Sequence, residues 1–434
     1  MANDAWGLET RLVHAGTDPD PATGARVPPI YQTTSFVFRD TDHAAALFSL
    51  QELGMIYTRI MNPTQDAFEQ RMTALEGGVG ALATSSGQAA QLIALLNLAE
   101  NGGHIVSSAS LYGGTYNQLH YTFPKMGIEV SFIDDPDDLD AWKNAIRPNT
   151  KAFYGESIGN PKGDIFDIGG VSKVAHDAQI PLVIDNTLAS PALLQPIRHG
   201  ADVVVHSATK FIGGHGTSIG GVIIDSGNFD YVGSGKFPGF TEPDPSYHGL
   251  VFDQLPPELR PAMYILKCRL QYQRDLGAAI APFNSFLFLQ GLQTLALRME
   301  RHSTNAMRVA EWLEGRDEVD RVIYPGLKSS KWYDRAQQML PNGQGAIVAF
   351  ELKGGVEAGR SFIDSLELFS HLANVGDVRS LAIHPATTTH QQLTEAEQTV
   401  SGVTPGLVRL SVGIETIDDI LADLDAGLRA AKSS

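Results

Sequence analysis

Cysteine is almost absent. Cys268 is the only one in 434 residues, which excludes an intrachain disulfide framework and any CxxC zinc or redox site, and fits a reducing compartment. Basic residues are scarce beside acidic ones: 32 Lys and Arg against 49 Asp and Glu, a net charge of −17. Phosphate backbones and anionic membrane surfaces are bound through basic clusters, so neither nucleic acid nor a membrane is an expected partner. Long hydrophobic runs are missing too. The longest, Gly277 to Leu297, is interrupted by Pro282, Asn284, Gln290 and Gln293; a bilayer span needs ~20 nearly unbroken apolar residues, so a buried helix, or two, is expected there. The opening MANDAWGLETRLVHAG lacks the basic-then-apolar layout of a signal peptide, and a cytoplasmic protein is expected. There is no GxSxG, no HExxH and no GxxxxGK followed by Ser or Thr, and GGHGTSIGG (Gly213 to Gly221) does not fit GxGxxG. No metal site is expected.

With 43% hydrophobic and 19% charged residues the chain is of globular composition, and its length suggests two or three domains at ~150 residues each. Residues 1–65 are rich in Pro, Thr and aromatics without a helical period. PPIYQTTSF (Pro28 to Phe36) and YTRIMNPT (Tyr57 to Thr64) read as extended segments of an arm that reaches a neighbouring subunit. Residues 66–265 alternate short apolar runs with helical patterns: GALATSSG, QAAQLIALLNLA, HIVSS, IEVSFID, TKAFYGES, PLVIDN and DVVVHS. Such alternation builds βαβ units, a mostly parallel sheet with helices on both faces, and ligand sites beyond the carboxyl ends of the strands. Residues 226–262, with GSGKFPGFTEPDPSYHG, read as a long loop insertion. Residues 266–434 read as a smaller α+β domain, with AIVAFELKGG, LVRLSVGIE and a final helix from Thr416 to about Ala431.

Three residue groups at strand ends carry chemistry. Lys210 in DVVVHSATKFIGGHG follows a β run directly. An ammonium beside a buried strand is costly unless paired or neutralised, and a Schiff base is one way to neutralise it; an exposed loop lysine is the other reading. Ser207 and Thr209 flank it with hydroxyls suited to a phosphate. Asp185 ends PLVIDN, where it could pair with a protonated pyridine nitrogen or serve a turn. SSGQAA (Ser85 to Ala90) leads from a strand into a helix, whose free N–H groups favour a phosphate.

In chain order these are a phosphate turn, an aspartate and a lysine flanked by hydroxyls. With YTRIMNPT, LYGGTY, ESIGNP, IDNT and VRLSVGIE, the chain resembles the Cys/Met-metabolism pyridoxal-phosphate (PLP) enzymes over nearly its whole length. The resemblance implies an α/β protein of PLP fold type I (aspartate aminotransferase-like), with a mostly parallel sheet in the large domain and a smaller α+β C-terminal domain. It also implies pyridoxal 5'-phosphate as cofactor, with Lys210 as its Schiff-base lysine and Asp185 on its ring nitrogen. Gly87 and Gln88 would give N–H groups to the phosphate, with Ser207 and Thr209 adding hydroxyls and Thr187 nearby. Tyr112 would stack on the ring, and Asn160 would touch cofactor and substrate. Arg409 would clamp the substrate carboxylate, and Asn374 would line the substrate side. Tyr57 and Arg59 would reach the phosphate of a neighbouring subunit's cofactor, in a homotetramer of dimers with shared sites. The insertion GKFPGFTEPDPSYHGLVF, the segment ANVGDVRSLAIHPATTTH and Gly114 in LYGGTY are similar to the branch that adds sulfide or a thiol to O-acetylhomoserine. The γ-lyases, cystathionine γ-synthase and O-succinylhomoserine sulfhydrylation remain the alternatives.

Overall fold

The structure is a computed structural model that describes residues 5–388 and 402–432; Thr389 and His390, at the end of the segment ANVGDVRSLAIHPATTTH, lie outside the described residues. Two sheets organise it. The larger has seven strands: β1 (Gly80–Thr84), β2 (His104–Ser108), β3 (Glu129–Ile133), β4 (Thr150–Glu156), β5 (Leu182–Asp185), β6 (Val203–Ser207) and β7 (Gly221–Asp225). Their spatial order is β1-β7-β6-β5-β4-β2-β3. β2, β3, β4, β5 and β6 pair in parallel, while β7 runs antiparallel to β1 and β6. The smaller sheet, β10-β11-β12-β9-β8 in space, comprises β8 (Val319–Ile323), β9 (Ile347–Leu352), β10 (Ser370–His371), β11 (Leu381–Ile383) and β12 (Leu407–Ser411).

Alternate residues of the central strands face opposite cores, as a two-residue period requires. Ile184 and Val204 join the cluster under helices Pro63–Glu76 and Ile168–Asp177, whereas Val183, Val203 and Val205 join the one under helix Gly87–Leu96. Strands buried on both faces read as unbroken apolar runs, which is why HIVSS, LVID and VVVHS stand out in the sequence. A third cluster fills the small domain between its sheet and helices Leu295–Glu314, Gly355–Asp364 and Ile417–Lys432.

Four expectations need correction. The first 65 residues contain two helices, Leu8–His14 and Thr41–Phe48. The first of these docks on its own chain: Leu12 and Ala15 are buried, and Arg71 Nε donates to the Ala15 carbonyl at 2.8 Å. Its seven residues are too few to display a period. The 226–262 insertion is packed rather than looped out, because Tyr231, Phe237, Phe240 and Phe252 bury against Tyr264. Tyr231 stacks on Tyr264 at 5.3 Å between ring centres. The start of the small domain moves beyond 266: Leu289 and Leu292 of helix Pro282–Gln293 belong to the large-domain core, and helix Leu295–Glu314 passes from that core at Met299 to the small-domain core at Ala306. Finally, residues 221–225 form β7, a strand missing from the apolar runs read in the sequence.

Candidate active site

The carboxyl ends of β4, β5 and β6 and the junction with the small domain gather most of the expected residues. Lys210, three residues beyond β6, points its Nζ at Asn374 Oδ1, 2.5 Å away, on the segment between β10 and β11. Arg409 in β12 donates from Nη1 to Asn160 Oδ1 and from Nη2 to the Asn374 carbonyl, both at 3.3 Å. Four residues of the two domains thus form one hydrogen-bonded group. Burial, with the Arg409 charge adding to it, lowers the Lys210 ammonium from its ordinary value to about 8. Arg409, itself buried, is lowered to about 10 by desolvation. Gly376 lets the two backbones meet: its φ is +77°, and a Cβ there would stand 2.7 Å from Phe211 N and 3.0 Å from Lys210 Cβ. Across the loop, Arg298 donates to the Phe211, Ile212 and Gly291 carbonyls at 2.7, 3.3 and 2.7 Å and so fixes the turn that carries Lys210.

Asp185, the last residue of β5, is partly exposed at the mouth. Desolvation, only partly offset by the Thr187 hydroxyl and N–H, raises its carboxyl above the ordinary carboxylate value. Thr187 N donates to Asp185 Oδ1 at 2.9 Å, and Thr187 Oγ1 accepts from Ser207 N at 2.8 Å, tying the ends of β5 and β6 together. Behind the sheet lies a fully buried pair, His206 Nε2 to Glu76 Oε1 at 2.6 Å, joined by Asn186 Nδ2 at 3.1 Å.

Helix Gly87–Leu96 starts against the same strand ends. Ser86 caps it by accepting from Ala89 N at 3.1 Å. Among the described residues, the Gly87 and Gln88 N–H groups and Ser207 Oγ have no hydrogen-bond partner. A Cβ on Gly87 would lie 2.6 Å from Ser207 Cβ and 3.0 Å from its Oγ, so only glycine lets the helix end approach this closely. Two N–H groups and a hydroxyl converging at a helix N-terminus fit a phosphate. Thr209 departs from the expectation: its hydroxyl donates to the Gly220 carbonyl at 3.2 Å and accepts from Gly220 N at 3.1 Å, which holds the lysine loop to β7 rather than offering the hydrogen to a ligand.

Tyr112 is half exposed over this region, at 51%. It lies across Gly114, where a Cβ would come within 2.4 Å of Tyr112 Cε1. Gln88 Nε2 donates to the Gly114 carbonyl at 3.0 Å. Glu156, absent from the expected set, ends β4 beside Asp185 and accepts from Tyr112 N at 2.7 Å. The signal that singles out Asp185, an acid closing an apolar strand, applies equally to Glu156. Tyr57 and Arg59 are not brought to the cluster. Both are exposed; Arg59 Nη1 donates to the Arg274 carbonyl, and its guanidinium stands 5.6 Å from the Tyr57 ring centre. Among the described residues no group of His, Cys, Asp or Glu could hold a metal ion, and no helix is long and apolar enough to cross a membrane.

A half-buried lysine of lowered basicity, an acid at the neighbouring strand end, an anion cradle and an exposed tyrosine make a site that pyridoxal phosphate fits, on the α/β fold of PLP fold type I. The class is therefore a PLP-dependent enzyme. The sequence model of the Cys/Met metabolism PLP-dependent enzymes matches residues 9–429, and the chain belongs to that family. It is 60% identical to an O-acetyl-L-homoserine sulfhydrylase of Leptospira meyeri, over 97% of this chain and 96% of that one. It is 52% identical to a homocysteine synthase of Schizosaccharomyces pombe, over 99% and 100%. A solved putative O-acetylhomoserine (thiol)-lyase of Campylobacter jejuni superposes with a TM-score of 0.94 at 40% identity, covering 98% of this chain and all of that one; it carries a pyridoxyl-lysine monophosphate.

Proposed function

We propose that the chain catalyses γ-replacement on O-acetyl-L-homoserine: hydrosulfide takes the place of the γ-acetoxy group, giving L-homocysteine and acetate, a step of methionine biosynthesis. Methanethiol in place of sulfide would give L-methionine. The observation that carries this is the group Lys210–Asn374–Arg409–Asn160, which sets an amine able to lose its proton near pH 8 beside a guanidinium able to hold an amino acid's carboxylate. The names and high identity of the relatives support the substrate.

Pyridoxal phosphate, when bound, supplies an aldehyde for amines and an electron-withdrawing ring that acidifies the substrate's Cα–H and then its Cβ–H. The rest falls to the chain. Asp185 keeps a negative charge for the ring nitrogen, held in direction by Thr187. Gly87, Gln88 and Ser207 take the phosphate. Arg409 and Asn160 take the α-carboxylate, a match that suits the guanidinium's paired donors. Lys210 Nζ, its ammonium lowered to about 8, takes the Cα proton and then a Cβ proton as acetate leaves, and returns both after the thiol has added at Cγ. Tyr112 covers the ring.

Tyr57 and Arg59 serve the phosphate of a second copy's site, in a homotetramer of shared-site dimers working in the cytoplasm. Support for the sharing is that both are exposed and stand apart from their own chain's cluster. The deciding experiment for the reaction supplies O-acetylhomoserine with and without sulfide. Homocysteine that appears only with sulfide agrees with this reading, whereas 2-oxobutyrate in its place would make the chain a γ-lyase.

A further inference from the structure

Glu156 and Asp185 are the last residues of adjacent parallel strands and are register partners, so their side chains leave the same face of the sheet. Neighbouring strands lie ~4.8 Å apart. Two ionised carboxylates that close, in a buried setting, repel strongly. Other charged groups near Glu156 offer no relief. Asp164, on the loop beyond β4, adds further negative charge, and no Lys, Arg or His forms an ion pair with Glu156 among the described residues. His206, next to Asp185 in neighbouring β6, is paired with Glu76 behind the sheet. Glu156 is 6% exposed, whereas Asp185 opens onto the site. What Glu156 does contact is the Tyr112 main chain, whose N–H donates to its Oε1 at 2.7 Å, with the Thr115 hydroxyl also facing it.

We propose that Glu156 is a positioning residue: as an uncharged carboxylic acid it anchors the backbone of Tyr112 and leaves Asp185 the sole negative charge facing the cofactor's ring nitrogen. The inference rests on the reading of Asp185 and Tyr112 as cofactor contacts. Burial and the Asp185 charge raise the Glu156 carboxyl well above its ordinary value, in the same sense. A neutral acid at this place serves two ends. It accepts the Tyr112 N–H as a carboxylate would, and it does not compete with Asp185 for the positive charge of the ring.

The test compares holoenzymes of the wild type, Glu156→Gln and Glu156→Ala, reading the visible absorbance of the lysine-bound cofactor against pH and the dissociation constant of pyridoxal phosphate. Glutamine is isosteric with the neutral acid and keeps its acceptor oxygen. It should leave both the absorbance titration and the cofactor affinity unchanged, while alanine should weaken the affinity by about tenfold through the unmoored Tyr112. A titration midpoint that moves in Glu156→Gln means the native group is charged, and overturns the proposal. So does an alanine variant that holds the cofactor as tightly as the wild type. Should Glu156→Ala not fold, the glutamine titration alone decides between the two outcomes. A wild-type protein that shows no absorbance with pyridoxal phosphate rejects the cofactor reading itself, a different failure and separately visible.

Discussion

Lys210 carries a conflict between burial and charge, and that conflict has a measurable sign. Its ammonium is lowered to about 8 by burial and then by Arg409; an unfolded lysine titrates near ~10.4. Below the folded value both states hold the proton, and the full cost of burying the charge is present. Between the two values the unfolded chain binds more protons, so stability rises with pH across that window. Thermal unfolding of the apoenzymes should show this as a difference: the wild type should gain stability relative to Lys210→Ala between pH 8 and about 10, on top of the alkaline loss that buried groups such as Cys268 and Tyr324 impose on both. The same variant should lose the borohydride-reducible cofactor bond and the yellow colour; a colour that survives would place the Schiff base on another lysine. Arg409→Lys keeps the charge but loses the guanidinium's pair of donors, which puts ~1.5–3 kcal/mol of charge-assisted binding at risk. KM for O-acetylhomoserine should rise about tenfold or more, at 1.4 kcal/mol per decade, with the cofactor spectrum unaltered. Lost cofactor would instead mark Arg409 as structural. Lys210 and Asp185 were legible in the sequence because a charged residue at the end of an apolar run stands out against its neighbours. The use of Thr209 was not, since its partner Gly220 lies across a turn whose closure no local pattern announces.

Elements place those residues, and the joints between elements are where the sequence says least. β2, β4, β5 and β6 announce themselves as apolar runs because both their faces are buried. β7 does not, since GVIID emerges from a glycine-rich segment and reverses direction between β1 and β6. Helices of seven or eight residues such as Leu8–His14 and Thr41–Phe48 hold barely two turns, too few for a period to show. Nor does the sequence reveal that Arg298, in the first turn of a long helix, reaches three carbonyls of other segments. Those bonds join helix Leu295–Glu314 to helix Pro282–Gln293 and to the lysine turn. Arg298→Met preserves much of the buried volume while leaving buried carbonyls unpaired, each costing ~1–3 kcal/mol. The thermal midpoint should drop by several degrees, and the lysine turn should become susceptible to proteolysis in the apoenzyme. A variant as stable as the wild type would show that water replaces the guanidinium.

At the scale of the whole molecule, the question is whether one chain holds a complete site. The described residues of one chain bring Lys210, Asp185, Tyr112, Asn160, Asn374 and Arg409 together at the domain junction, while Tyr57 and Arg59 sit exposed against the Arg274 end of another helix. A guanidinium on the surface, with its ring neighbour at 5.6 Å, contributes to a phosphate only when another surface is brought to it. In a closed two-fold dimer each arm would complete the partner's site and each site would borrow the partner's arm. That arrangement has a distinctive genetic signature. Lys210→Ala alone should be inactive and Arg59→Ala alone badly impaired. When the two variants are unfolded together and refolded as an equal mixture, half the dimers are mixed. In a mixed dimer one site holds Lys210 of one chain with Arg59 of the other, and the second site lacks both. About a quarter of all sites should therefore regain wild-type turnover. If mixed dimers form, as separable affinity tags can verify, and no activity returns, Arg59 acts within its own chain and the sites are not shared.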